Sequence, residues 1–158
     1  MEEKEDVAMF SPRIILVPTD FSNYSDNALK YAIDIARQYR AKIYLLHVID
    51  EYIQQCVDDY CLSDATLKEI EQASITNSTD RLQQEQNRVA GGATDVAISA
   101  YVKRGVPYEE ILREQEEKDI DLIVLSSHGR TGIRRMLIGS VAEKVTRAAK
   151  CPVLLVRA

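Results

Sequence analysis

The chain is poor in the residues that build metal centres and disulfide frameworks. Its 158 residues include two histidines, three cysteines and no tryptophan. Two histidines exclude a histidine-rich metal cluster. An odd number of cysteines without ligand-like spacing predicts reduced thiols, which are typical of the cytoplasm. We therefore interpret Cys56, Cys61 and Cys151 as structural or incidental.

Long apolar runs and an excess of positive charge are also lacking. The uncharged runs, such as IYLLHVI and LIVL, are far shorter than the ~20 residues that span a bilayer, so no membrane association is expected. The start, MEEKEDVAMF, lacks the basic and apolar regions of a signal peptide, and we expect residues 1–11 to form a flexible acidic extension. A formal net charge of -5 argues against sequence-independent binding of nucleic acid, which requires a basic surface.

What the sequence does contain is a regular alternation of buried strands and helical segments. The expected strands cover residues 13–17, 43–49, 96–102, 121–126 and 152–156. Strict alternation implies a parallel sheet with right-handed crossovers. We therefore predict one α/β domain over residues 12–158, a doubly wound five-stranded parallel sheet with helices on both faces. The order 3-2-1-4-5 would place the ends of strands one and four together at the crevice where such sheets bind ligands.

Local signals predict where two of the helices begin and break. Ser22 and Ser25 are both candidates for the N-cap of the first helix. The second helix is expected over residues 63–90. Its SITNSTD stretch is poor in helix-forming residues, so a break is expected near Asn77.

The connection after the fourth strand is the most unusual segment of the chain. It runs over residues 127–139, well above the ~2–6 residues of an ordinary β-to-α loop. Its glycines let a backbone approach a ligand closely. The Ser140–Glu143 capping-box pattern predicts a helix start, whose unpaired N–H groups suit a phosphate. Three arginines add positive charge: Arg130, Arg134 and Arg135. An ordinary long loop with a solvated face is the alternative.

This segment resembles the glycine motif of the universal stress protein family, Gly-x2-Gly-x9-Gly-[Ser/Thr]. Gly129, the nine residues after it, and the pair Gly139 and Ser140 match the motif, whereas Ser126 replaces its first glycine. Five collinear segments carry the resemblance over almost the whole chain: IILVPTDFS, IYLLHVID, RGVPYEEI, SVAEKV and CPVLLVR. The resemblance implies an adenine nucleotide alpha hydrolase-like fold.

The resemblance also implies an adenine-nucleotide site. In ATP-binding relatives, the positions at the end of strand one contact the adenosine, here Pro18, Thr19 and Asp20. The position that packs against adenine matches Ile43, and those that close over the base or ribose match Gly105 and Val106. The ribose and phosphates are held by positions from strand four to the last helix, here Leu125, Ser126, His128, Gly129, Arg130, Gly139, Ser140, Val141 and Ala142.

Two of these positions allow more than one interpretation. Asp20 is expected either to contact the nucleoside, or phosphates through a nucleotide-bound Mg²⁺ or Mn²⁺, or to help cap the next helix. Ser126 would cost roughly 1–2 kcal/mol if its backbone required a positive φ. In an extended backbone, its hydroxymethyl group would crowd the ligand or donate a hydrogen bond to it.

The implied function is a cytoplasmic sensor or regulator in the stress response that binds ATP, ADP or AMP. No Walker lysine follows the glycine loop and no clear base is evident, so at most slow ATP hydrolysis is expected. His128 is a candidate donor to phosphate or ribose, whereas His47, in an apolar strand, is interpreted as structural. A homodimer through the last strand is expected, together with regulatory protein partners. The alternative is a dimeric interaction module of the same family that binds no nucleotide, which Ser126 favours.

Overall fold

The five strands form one parallel sheet. In the computed structural model, which describes residues 9–51, 63–129 and 138–157, they are β1 (Ile14–Thr19), β2 (Lys42–Asp50), β3 (Ile98–Gly105), β4 (Leu122–Ser126) and β5 (Val153–Val156). Their order is β3-β2-β1-β4-β5 and each pair is parallel, which confirms the predicted fold class and strand order. Outside the described residues lie residues 1–8 of the predicted extension and Cys56, Cys61, Arg130, Arg134 and Arg135.

Helices cover both faces of the sheet. They are α1 (Asn23–Tyr39), α2 (Asp64–Ala90), α3 (Pro107–Glu117) and α4 (Ser140–Ala148). Alternate residues of β1 belong to separate apolar cores. Ile15 and Val17 pack in the core that includes residues of α1 and α2, whereas Leu16 packs in the core that includes residues of α3 and α4. Within the described ranges, no helix combines the length and apolar character needed to cross a bilayer.

The helix starts and the predicted break are decided by local hydrogen bonds. Ser22, rather than Ser25, is the N-cap of α1, because its Oγ accepts the Ser25 N–H at 3.2 Å. The break expected near Asn77 is wrong, since α2 is one continuous α-helix. The Thr76 and Thr79 hydroxyls each donate to the carbonyl four residues earlier, which satisfies these polar groups without interrupting the helix.

The start of α4 lies one residue earlier than the capping box predicts, because the box makes Ser140 the N-cap. Gly139 is the N-cap and makes no side-chain capping bond, while Ser140 is the first helical residue. The Gly139 N–H donates to the Ser127 carbonyl at 2.7 Å, and the Gly139 carbonyl accepts from the Glu143 N–H at 2.9 Å. Gly139 is tied to the β4 end in this way, and both Gly139 and Ser140 line the neighbouring cavity.

The strands β1 and β4 separate toward their carboxyl ends. All six residues of β1 pair with β2, but only Ile15 and Leu16 pair with β4. Pro18 does not close the strand as expected from the sequence; β1 runs through it to Thr19. Pro18 has no N–H with which to donate a ladder hydrogen bond. The separation leaves room at the carboxyl edge of the sheet, where strand order reverses around β1 and β4.

Candidate functional site

A cavity of about 350 Å³ lies where the ends of β1 and β4 separate. Its volume falls within the ~300–1,000 Å³ typical of small-molecule sites. The wall is built from the ends of β1, β2 and β4 and the first turns of α3 and α4. Eleven residues predicted from the sequence line it: Pro18, Thr19, Asp20, Leu125, Ser126, His128, Gly129, Gly139, Ser140, Val141 and Ala142.

Of the remaining predicted positions, the three that the structure describes, Ile43, Gly105 and Val106, do not line this cavity. Ile43 is fully buried near the start of β2, where it pairs with Ile15 and Ile98, so the expectation that it packs against a base is corrected. Ligands of parallel sheets lie at the carboxyl ends of the strands, and Ile43 lies near the amino end. Arg130 lies outside the described residues.

Gly105 and Val106 form the connection between β3 and α3 and are not part of the cavity wall. Gly105 has a φ of 149°, and a Cβ there would lie 2.8 Å from the Glu110 side chain. Val106 is the N-cap of α3. It is the next residue, Pro107, at the first position of the helix, that lines the cavity. The glycine is therefore explained by its conformation and by the close approach of α3.

Seven cavity residues were not predicted from the sequence: Ser25, Leu46, His47, Val48, Asp50, Pro107 and Ile111. Four of them end β2, the strand for which only Ile43 was predicted. The general rule that ligands lie at carboxyl ends of strands would have found this group. Together with Ile111, Leu46 and Val48 give the cavity an apolar wall.

Thr19 is the centre of the hydrogen bonds behind the cavity. Its Oγ1 lies 2.8 and 2.9 Å from the two carboxyl oxygens of Glu85 and 3.0 Å from the Ser25 Oγ. It also accepts the Phe21 N–H at 3.0 Å. The Nδ1 of His47 lies 2.9 Å from the Thr19 carbonyl oxygen, so His47 both fixes β1 and lines the cavity. These contacts hold the end of β1 in one orientation.

Phe21 adopts a backbone conformation that is rare for a bulky residue. Its φ is 63°, in the left-handed region. The ring centroid lies 4.2 Å from that of His47 and 4.2 Å from the Arg81 guanidinium carbon. Stacking and cation–π contacts of this kind offset backbone strain. The strained turn is thereby retained directly after Asp20, at the edge of the cavity.

Asp20 joins the β1 end to the loop that follows β4. Its Oδ1 accepts the Ser22 N–H at 3.1 Å, so the carboxylate supports the turn before α1, while Ser22 itself is the cap. A Cβ on Gly129 would lie 2.9 Å from the Asp20 Oδ2. Gly129 is thus required for the close approach of this loop to Asp20.

Ser126 has an ordinary strand backbone, so the cost of a positive φ does not arise. Its hydroxyl donates to the His128 carbonyl at 2.6 Å. The neighbouring Ser127 Oγ lies 3.0 Å from the His128 Nδ1, and the Ser127 carbonyl accepts the Gly139 N–H. The serine that replaces the first motif glycine therefore forms part of the internal hydrogen bonding of this loop.

The charges around the cavity are divided between two sides. The N-terminus of α4 presents backbone N–H groups, which favour an anion. Asp20 and Asp50 lie on the β1 and β2 side and suit hydrogen-bond donors or a cation. In the part of the chain that the structure describes, no three His, Cys, Asp or Glu side chains are grouped to hold a metal. A Mg²⁺ would fit beside Asp20 if nucleotide phosphates supplied further oxygen ligands.

Glu85, behind Thr19, has an unusual ionisation. Burial raises the pKa of its carboxyl from 4.5 to about 7. The hydrogen bond from Thr19 and the charge of Arg88 lower this pKa, whereas the carboxylates of Asp26 and Asp20 raise it. The Glu85 carboxyl therefore changes between its protonated and ionised forms near neutral pH.

Comparison with known proteins gives one consistent result. Residues 12–157 match the model of the Universal stress protein family. Universal stress protein MJ0531 of Methanocaldococcus jannaschii is 36% identical over 146 residues, which are 90% of this chain and 81% of the relative. The structure of MJ0577, from the same organism, has a TM-score of 0.79 at 28% identity and covers 92% of this chain and 96% of its own. A universal stress protein in complex with cAMP has a TM-score of 0.68 at 23% identity, over 93% and 98%, a likeness of fold.

Proposed function

Since the chain belongs to the universal stress protein family, we propose that it binds an adenine nucleotide, with ATP as the principal ligand, in the cavity between β1 and β4. The observation that carries this proposal is that one cavity of suitable size is lined by eleven of the residues to which the family resemblance assigns a nucleotide contact. The cAMP complex of another protein with this fold supports the same class of ligand.

The two sides of the cavity match the two ends of a nucleotide. The apolar wall of Leu46, Val48 and Ile111 suits the flat adenine ring. The N–H groups at the start of α4 suit the phosphates, beside the small residue Gly139. In this arrangement Asp20 accepts from the nucleoside or holds the Mg²⁺ that accompanies the phosphates.

The cavity favours binding over rapid hydrolysis. No lysine is present among the residues that line its described part. His47 is engaged with the Thr19 carbonyl and His128 with the Ser127 hydroxyl, so each ring has a structural contact. We propose that the protein acts in the cytoplasm as a nucleotide-dependent regulator of protein partners, with slow ATP turnover at most.

Calorimetric titration with ATP, with and without Mg²⁺, tests this function. Wild-type protein is expected to bind ATP with micromolar affinity. Asp20→Ala is expected to bind at least about tenfold more weakly, because it removes the carboxylate that faces the ligand. Asp34→Ala, at an exposed position of α1 away from the cavity, serves as the control.

Either of two results would change the proposal. Unchanged ATP affinity in Asp20→Ala, combined with a lower melting temperature, would assign this carboxylate to the turn before α1 alone. Failure of the folded wild-type chain to bind any adenine nucleotide would overturn the nucleotide proposal and favour the interaction module.

The second candidate function is a dimeric interaction module, and the exposed edge of the sheet supports the dimer that both candidate functions expect. Among the described strands, β5 pairs only with β4, and its Leu154 is 37% exposed. An apolar edge of this kind is available for pairing with a second copy of the chain. We expect a homodimer through β5 whether or not nucleotide binds. Sedimentation at low micromolar concentration of only a 17.9 kDa species would contradict this assembly.

A further inference from the structure

A buried carboxyl group lies directly behind the cavity wall. Glu85 belongs to α2 and is only 2% exposed, although most of that helix faces solvent. Both of its carboxyl oxygens lie within 2.9 Å of the Thr19 Oγ1. Thr19 and its other hydroxyl neighbour, Ser25, both line the cavity. Glu85 therefore touches the site through one residue while remaining outside it.

The number of protons available decides how these groups bond. The Thr19 hydroxyl has one proton and has two acceptors within reach, the Glu85 carboxyl and the Ser25 Oγ. When Glu85 is ionised, its carboxylate accepts the hydrogen bond from the Thr19 hydroxyl, and Thr19 donates none to the Ser25 Oγ. When Glu85 is protonated, it donates to Thr19, Thr19 donates to Ser25, and Ser25 donates to the Ser22 carbonyl at 2.9 Å. The protonated state thus satisfies every contact in the chain of hydroxyls.

The charges that face Glu85 come from three elements. Asp26 of α1 is buried and forms a bidentate pair with Arg88 of α2, at 2.6 and 2.8 Å. Asp20, in the connection between β1 and α1, adds a further negative charge. One turn earlier in α2, Arg81 is stacked on Phe21. An ionised Glu85 consequently adds to a group of carboxylates next to a site proposed for a polyanion.

We propose that Glu85 is a positioning residue that couples nucleotide binding to proton uptake, so that ATP binds more tightly when Glu85 is protonated. The inference rests on the proposed function. Protonation removes a negative charge from behind the β1 wall of the cavity, which lowers the repulsion of a polyanion in the site, and turns the Thr19 hydroxyl toward Ser25. By thermodynamic linkage, the nucleotide in turn favours the protonated carboxyl.

The pKa of the Glu85 carboxyl lies in the range that coupling of binding to proton uptake requires. Burial raises the pKa of Glu85 to about 7, so the group changes charge within the physiological range. The folded chain then holds this proton between pH 4.5 and about 7, where an unfolded chain has lost it. The stability of the folded state is therefore expected to fall as the pH rises through this window.

The test compares wild type, Glu85→Gln and the control Glu69→Gln, which changes an exposed position of the same helix. Affinity for MgATP and for uncharged adenosine is measured by calorimetry from pH 6 to pH 8.5. From pH 6 to pH 8.5, the MgATP affinity of wild type and of the control is expected to fall. This fall is expected to be roughly three- to tenfold larger than the fall in Glu85→Gln. Changes that arise from other groups of the protein or from the phosphates themselves are common to all three proteins. Adenosine carries no phosphate, so the difference in pH dependence among the three proteins is expected to be smaller for adenosine than for MgATP.

A second measurement requires no ligand. The urea midpoint of wild type is expected to fall between pH 5 and pH 8, and Glu85→Gln is expected to reduce this fall. A pH profile for MgATP that Glu85→Gln shares with wild type would overturn the inference and leave nucleotide binding intact. A wild-type protein that binds neither ligand would instead overturn the proposed function, and the inference with it.

Discussion

Gly129→Val is expected to bind ATP at least about tenfold more weakly than the wild-type chain, which corresponds to ~1.4 kcal/mol. A Cβ at this position would lie 2.9 Å from the Asp20 Oδ2, closer than such atoms approach. Asp20 is held by the Ser22 N–H, so its carboxylate has to leave this contact or the loop has to move away. Either change alters two walls of the cavity at once. Calorimetric titration of ATP measures the loss.

The matched control is Gly92→Val, because a Cβ at Gly92 meets no atom within 4 Å. It lies beyond α2 and does not line the cavity, so ATP affinity is expected to stay within about twofold of wild type. Melting temperatures of both variants distinguish loss of binding from loss of folding. Native ATP affinity in a folded Gly129→Val protein would show that the contact between the loop and Asp20 plays no part in binding.

Leu82→Ala is expected to lower the free energy of unfolding by about 2–5 kcal/mol. Leu82 is only 1% exposed. Among the described residues of α2, it is the largest apolar side chain in the core that this helix shares with α1 and the sheet. Its loss leaves a cavity and weakens the attachment of the helix that carries Glu85 and Arg88. Urea unfolding followed by circular dichroism gives the value.

Leu67→Ala provides the comparison, since Leu67 belongs to the same helix and is only half-buried. It is expected to cost clearly less than Leu82→Ala, because less apolar area returns to water. Equal losses in the two variants would mean that α2 contributes to stability through its whole length rather than through the contact at Leu82.

Much of the fold was predictable because short apolar segments and capping residues have a local physical origin. Ser22, one of the two predicted caps, is the N-cap of α1, and α2 begins one residue after its predicted start. The predictions that failed rested on weak local preferences. The polar stretch around Asn77 remained helical because threonine hydroxyls bonded to the preceding turn. The capping box at Ser140 was displaced because Gly139 is tied to the Ser127 carbonyl.

The parts of the candidate site at the end of β1 and in the glycine loop were predictable, whereas the residues that β2 contributes were not. The β1 end and the described residues of the glycine loop, to which the family resemblance assigned nucleotide contacts, line the cavity. Ile43, which the resemblance matched to the position that packs against adenine, does not line the cavity, because it lies near the amino end of β2. Leu46 and Val48 have the same apolar character and lie at the correct end.

The sequence by itself determined the alternation of strands and helices, the family, and the segments that meet beyond the sheet, because these depend on local periodicity and local motifs. Only the tertiary structure decided that Glu85 lies beneath Thr19, 66 positions earlier in the chain. It also decided that β1 and β4 separate after two paired residues. Both depend on the direction and register in which distant elements pack, and no pattern within one element specifies those.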